Sequence, residues 1–192
     1  RYAFGNQRPI LRWNLERFAE ALQPLCPQSA LTRDELKATL DEFEDRFDAQ
    51  YYTMMRKKLG INSDDEKELV DEFLEWLRQS NADYTNTFLE LETPGTFDDP
   101  VFTTTEFEQL RDKLAAVGLN GALMREANPR YIPRNHLVEE ALDGYLETGS
   151  LSTFKRLLAI LETPYTSKDV SSQFQQPPPR EFDTEYTTYC NT

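Results

Sequence analysis

The stretch LTRDELKATLDEFEDRFDAQYYTMMRKKLG, residues 31–60, constrains the fold most. Leu36, Leu40, Phe43, Phe47, Tyr51 and Met54 recur at intervals of three and four, the signature of one apolar stripe on a helix. Thr32 followed by Glu35 reads as a capping box, which satisfies the first free N–H groups of a helix. Arg56, Lys57 and Lys58 fall in the last turn, where cations complement the macrodipole, and Gly60 supplies the left-handed residue that closes it.

The same grammar runs along the chain. Pro9 suits a first helical turn, and Ile10, Trp13, Leu15, Phe18, Ala21 and Leu22 predict an amphipathic helix that Pro24 and Pro27 end. Ser63 and Glu66 predict a second capping box, ahead of a buried face of Leu69, Phe73, Trp76 and Leu77. Asp83 is expected to cap a short helix through YTNTFLELE, and Thr103 with Glu106 to start another. Pro94, Gly95 and Pro100 mark a turn between them. A helix beginning near Pro133 should stop near Gly149, and a last one should end before Pro164. No β alternation is long enough for a sheet, and no fixed-period repeat suggests a solenoid. The expected class is mainly α: a bundle-like helical domain over 1–164, followed by an extended, Pro-containing tail over 165–192.

Charge narrows the partners. A net charge of −13 over 192 residues repels phosphate backbones and anionic lipid surfaces, so neither nucleic acid nor membrane is expected. No apolar run approaches the roughly 20 residues of a membrane span. Cys26 and Cys190, the two cysteines, sit at opposite ends of the chain and suggest no disulfide framework, so a reducing compartment is the default.

Chemistry-bearing residues are few. His136 is the single histidine and could share a helix face with Glu140. A di-metal carboxylate site needs a Glu three residues before each of two histidines, and position 133 is proline. A structural histidine at a helix start is the expected role. Neither Cys26 nor Cys190 has the flanking cations or helix start that would activate a thiolate. Asp41, Glu42, Glu44, Asp45 and Asp48 read as a solvated helix surface. In NPRYIPRNH, Arg130, Arg134 and Asn135 bracket two prolines. Two roles fit them: a clamp between helices, which is favoured, or contact with an anion or substrate. There is no Gly-rich phosphate loop, nucleophile elbow or kinase catalytic motif, so the residues alone do not reveal an enzyme.

Several stretches in order, RYAFGNQ with ILRWNLERFAEAL, then MMRKKLGI, DYTNTF and NPRYIPRNHLVEEAL, together with the near-terminal YCNT, resemble the C-terminal portion of the selenoprotein O family, also called SelO or YdiU. The resemblance covers essentially the whole chain. It implies a pseudokinase-type fold in which these helices form the later part of a kinase-like C-lobe. It also implies an enzyme that binds ATP with Mg or Mn and transfers AMP to hydroxyl side chains of proteins. The family's nucleotide, metal and base motifs precede the RYAFGNQ position, so the resemblance assigns no catalytic, cofactor or metal residue here. The expectation is a C-terminal region inactive by itself, whose partners are the upstream kinase-like half of the same polypeptide and the parent's protein substrates. Location would be cytoplasmic in a bacterium and mitochondrial in a eukaryote. The resemblance also aligns Cys190 with a cysteine or selenocysteine linked to redox control, in some members through a cysteine upstream of Arg1. The chain departs from the family pattern at Arg8, with Pro9 one residue late. The alternative is a free-standing helical module that binds a partner protein through an apolar groove.

Overall fold

In the computed structural model the described residues are 4–25, 33–166, 172–179, 181–182 and 186. Among them are eight α-helices and no strand: α1 (Gln7–Leu22), α2 (Arg33–Lys58), α3 (Lys67–Ser80), α4 (Tyr84–Glu92), α5 (Thr105–Ala116), α6 (Gly121–Ala127), α7 (Asn135–Thr148) and α8 (Ser152–Leu161). The chain groups into two compact units, Arg1–Met54 and Met55–Thr192, a division inside the stretch that the sequence reads as one helical domain.

Ion pairs link the two helices of the first unit. The Arg8 guanidinium donates to Glu44 and, at 2.6 Å, to Asp48, while Arg12 bridges Glu16 and Asp41 at 3.3 Å each. Its apolar side chains are incompletely covered. Ile10, Leu15 and Leu22 of α1 and Leu36, Leu40, Phe43, Phe47 and Tyr51 of α2 are half-buried. Trp13, Phe18 and Ala21, expected on the covered face of α1, are exposed, because the side of α1 that carries them meets no other described element of this unit. Thr32 lies outside the described residues, so its capping box does too.

The second unit has a dense core. Val70, Phe73, Phe88, Phe107, Leu114 and Met124 are shut off from solvent, and aromatic rings link the helices that carry them. Phe73 lies 5.1 Å from Phe88, Trp76 4.9 Å from Phe107, and Phe102 5.2 Å from Phe107, spacings at which offset aromatic pairs attract. The last turn of α2 contributes Met55 and not Met54, which was expected on the stripe: Met55 is 1% exposed and Met54 49%. A second cluster packs Tyr131, Leu137, Ala141, Leu157 and Ile160 around Phe174 of the tail.

The helix ends follow local chemistry. Asp83 caps α4, its Oδ1 accepting from the Asn86 N–H at 2.8 Å. Gly60 takes φ 71° and, with Ile61, returns N–H groups to Lys57 and Arg56 carbonyls, ending α2. Gly149 does the same for α7 with φ 70°. Three expected starts move. Helix α3 opens at Lys67 because the Ser63 hydroxyl accepts from the Asp65 N–H in a separate tight turn. Thr104, one residue after Thr103, caps α5 through Phe107. Helix α7 begins at Asn135, beyond Pro133. Helix α6 was not anticipated; Asn120 caps it by accepting from the N–H groups of Ala122 and Leu123.

Candidate functional site

The loop between α6 and α7 brings the two arginines singled out by sequence into the second unit's interior. Arg134, the residue before α7, is buried and donates from both terminal nitrogens to Asp83, at 2.6 and 2.9 Å, in a fork geometry. One of those nitrogens also reaches Asn86 Oδ1 at 3.1 Å. Burial works against ionising Asp83, but the guanidinium and the Asn86 N–H outweigh it and hold the carboxyl below its ordinary value. Arg130 donates to Glu92 at 3.1 Å, and Arg125 approaches the same carboxylate at 3.6 Å. The Arg130 N–H itself bonds the Pro164 carbonyl at 2.7 Å. Asn135 starts α7 and is exposed. The two guanidiniums therefore tie the α6–α7 loop to both ends of α4, a clamp geometry, and both are engaged with carboxylates.

The tail completes this region. Asn86 donates its side-chain amide to the Gln175 carbonyl at 3.0 Å, and the Tyr186 hydroxyl donates to Glu139 at 3.0 Å. That hydrogen bond raises the Tyr186 pKa, since the carboxylate favours the protonated phenol. Phe182 stands edge-on to His136 at 5.9 Å and stacks on Tyr186 at 4.7 Å. Arg134, Asn135, His136, Pro178, Phe182 and Tyr186 line a cleft of about 200 Å³. Burial, followed by the Arg134 charge, lowers the His136 pKa, which favours the neutral ring.

Elsewhere, Lys58 places its amine 4.4 Å from the Phe88 ring centroid and 5.6 Å from that of Tyr84, and burial lowers it to about 8. Glu90 accepts from the N–H groups of Gly95 and Phe97 and so fixes the Pro94–Gly95 turn. In the first unit, a groove of about 350 Å³ between α1 and α2 is lined by residues that include Leu36, Leu40, Arg12, Glu16, Lys37 and Asp41. It holds no grouping of catalytic type. Among the described residues no cluster of three or more His, Cys, Asp or Glu could hold a metal ion. Cys26 and Cys190 lie outside the described residues.

Asp83, Asn86 and Glu92 are the partners that sequence reading did not assign to the arginines. Asp83 was legible as a cap, and the spacing from Asp83 to Asn86 marks one helical turn. Nothing local announced that Arg134, far along the chain, would share that turn.

A family model described as Protein adenylyltransferase SelO matches residues 1–162. The chain belongs to the SelO family. Curated SelO-family relatives named protein nucleotidyltransferase YdiU agree along the whole chain: 36% identical in Pelagibacter ubique, 34% in Clostridium botulinum strain Alaska E43 and 36% in Alkaliphilus metalliredigens. The chain spans 41–42% of the length of those relatives. No helix among the described residues is long and apolar enough to cross a membrane.

Proposed function

We propose that this chain is a helical supporting region of a SelO-family protein nucleotidyltransferase that transfers AMP from ATP to protein hydroxyl groups. The nucleotide, its Mg or Mn, and the catalytic base are held by polypeptide outside the chain, in a kinase-like half to which these helices are C-terminal. Family membership and the share of relatives' length support the nucleotidyltransferase class and the partial coverage. The C-terminal placement and kinase-like architecture rest on the ordered resemblance alone. One observation carries the supporting role: among the described residues of the first unit no side chain is buried, and Trp13 and Phe18 are 54% and 60% exposed. A helix pair of that kind has too little core to stand alone and gains its stability by packing against further chain.

In this reading the chain performs no bond-making step. Its residues hold shape: Arg134 with Asp83 and Arg130 with Glu92 fix α4 to the α6–α7 loop, and the tail closes over α7. Cys190 is proposed as a redox-responsive thiol that pairs with a cysteine outside the chain, to be read by peptide mapping without reduction. For the parent we propose the cytoplasm in a bacterium and the mitochondrion in a eukaryote. The deciding experiment is AMP labelling of a protein acceptor by the full-length parent and by this chain, side by side. Transfer by the parent alone is expected; transfer by the 192-residue chain would refute the assignment. The groove between α1 and α2 favours the second reading, a free-standing interaction module, which requires a gene product that encodes no nucleotide-binding half.

A further inference from the structure

Helix α2 ends on two adjacent lysines in different surroundings. Lys57 is exposed, whereas Lys58 lays its amine on α4, 4.4 Å from the Phe88 ring centroid and 5.6 Å from that of Tyr84. Lys58 is half-buried; Lys37, Lys67, Lys113 and Lys155, the other described lysines, are exposed like Lys57. The position is firmly held. Phe88 is shut off from solvent, and the Asn128 side-chain amide donates to the Lys58 carbonyl at 2.7 Å. Leu59 and Gly60, the next two residues, are buried.

The charged groups of the neighbouring elements are engaged elsewhere. At α4, Asp83 accepts from Arg134, Glu90 accepts from the N–H groups of Gly95 and Phe97, and Glu92 pairs with Arg130 and draws Arg125 of α6 towards it. Glu126 of α6 is exposed, and Asp64, beyond the end of α2, pairs with Arg56. The Tyr84 hydroxyl reaches Met55 Sδ at 3.7 Å. Among the described residues no carboxylate forms an ion pair with Lys58. An ammonium here has given up water for ring faces, which attract it but do not replace a carboxylate. Burial therefore favours the neutral amine and lowers Lys58 to about 8. A desolvated, neutral lysine carries the free lone pair of a nucleophile.

We propose that Lys58 is a modification site whose amine takes an acyl group from a small activated donor, an acyl phosphate or a thioester. The nitrogen lone pair attacks the carbonyl carbon and forms a C–N bond. The C–O or C–S bond breaks, its electron pair leaves with phosphate or thiolate, and the amine proton passes to water. The product is a neutral amide, which costs less to keep against two aromatic rings than an ammonium does. No nucleotide enters this step, so it stands apart from AMP transfer.

The test treats the full-length parent at about pH 7.5 with acetyl phosphate and, separately, with acetyl-CoA. Fragment-ion mass spectrometry then follows each acetylated lysine with time. Roughly a quarter of the Lys58 amine is neutral at that pH, against about one part in a thousand for an ordinary lysine. Lower basicity and partial cover reduce that advantage, so Lys58 should react roughly tenfold faster than Lys57 with at least one donor. A faster reaction with one donor identifies the source. The Lys58 rate should level off above about pH 8.5, while the Lys57 rate keeps rising to about pH 10. Lys58→Arg should remove the fast product and leave the Lys57 rate unchanged. A Lys58 rate equal to or below that of Lys57 with both donors overturns the proposal, as does a Lys58 rate that rises in parallel with Lys57 throughout.

Discussion

The two units are built from the same kinds of helix and are held together differently. In Arg1–Met54, arginines reach across to carboxylates over apolar side chains that stay half in water. In Met55–Thr192, Phe73, Phe88 and Phe107 are shut off from water, and the charged groups that are buried have partners, Arg134 in Asp83 and Glu90 in the N–H groups of Gly95 and Phe97. Burial scales with apolar area removed from water, whereas exposed ion pairs contribute little and are screened by salt. The comparison teaches that amphipathic periodicity makes a helix but not a core. A core needs opposing elements on enough sides, and only the second unit has them.

The largest effect should come from emptying that core. Phe73→Ala removes a ring with no solvent exposure and should cost about 3–5 kcal/mol in urea unfolding. Leu40→Ala in the first unit should cost about 1 kcal/mol or less, because its side chain is only half-buried. Equal costs would break the comparison.

Next is the buried pair. Arg134→Ala leaves Asp83 without its main partner and should cost about 3 kcal/mol. The same pair gives a pH dependence of known sign. The folded Asp83 pKa is depressed, so the unfolded chain binds more protons in the window between the folded and ordinary values. Its contribution is complete above the ordinary carboxylate value and is lost as pH falls through the folded one. Denaturation followed from pH 6 downward should therefore be flatter in Asp83→Asn than in wild type.

Gly60→Ala should cost about 1–3 kcal/mol. The residue has φ 71°, and an added Cβ would meet Met124 Cγ at 2.8 Å and the Asn120 backbone at 3.0 Å. The smallest effect belongs to Arg8→Met, which breaks the half-exposed links to Glu44 and Asp48. The unfolding midpoint should hardly move, and the remaining difference should vanish in high salt.

Helix positions were legible where one residue satisfies its own neighbourhood. Asp83, Gly60 and Gly149 each end or start a helix through bonds to residues within a turn or so, and sequence shows such chemistry directly. Helix α6 was missed because GALMREA is too short to display a period. The exposure of Trp13 and Phe18 was illegible for another reason: spacing reveals an apolar face but not whether anything covers it. The candidate cluster was half legible. Arg130 and Arg134 stood out beside prolines, but their carboxylates lie 38 and 51 residues away, and no local pattern pairs them.

Residue-resolved hydrogen exchange on the 192-residue chain tests the contrast most directly, since amide protection reports local opening free energy. The account predicts that α3 amides from Phe73 to Leu77 exchange only through global unfolding, while α1 amides from Arg12 to Phe18 exchange through openings that cost little. Protection of α1 equal to that of α3 would contradict it.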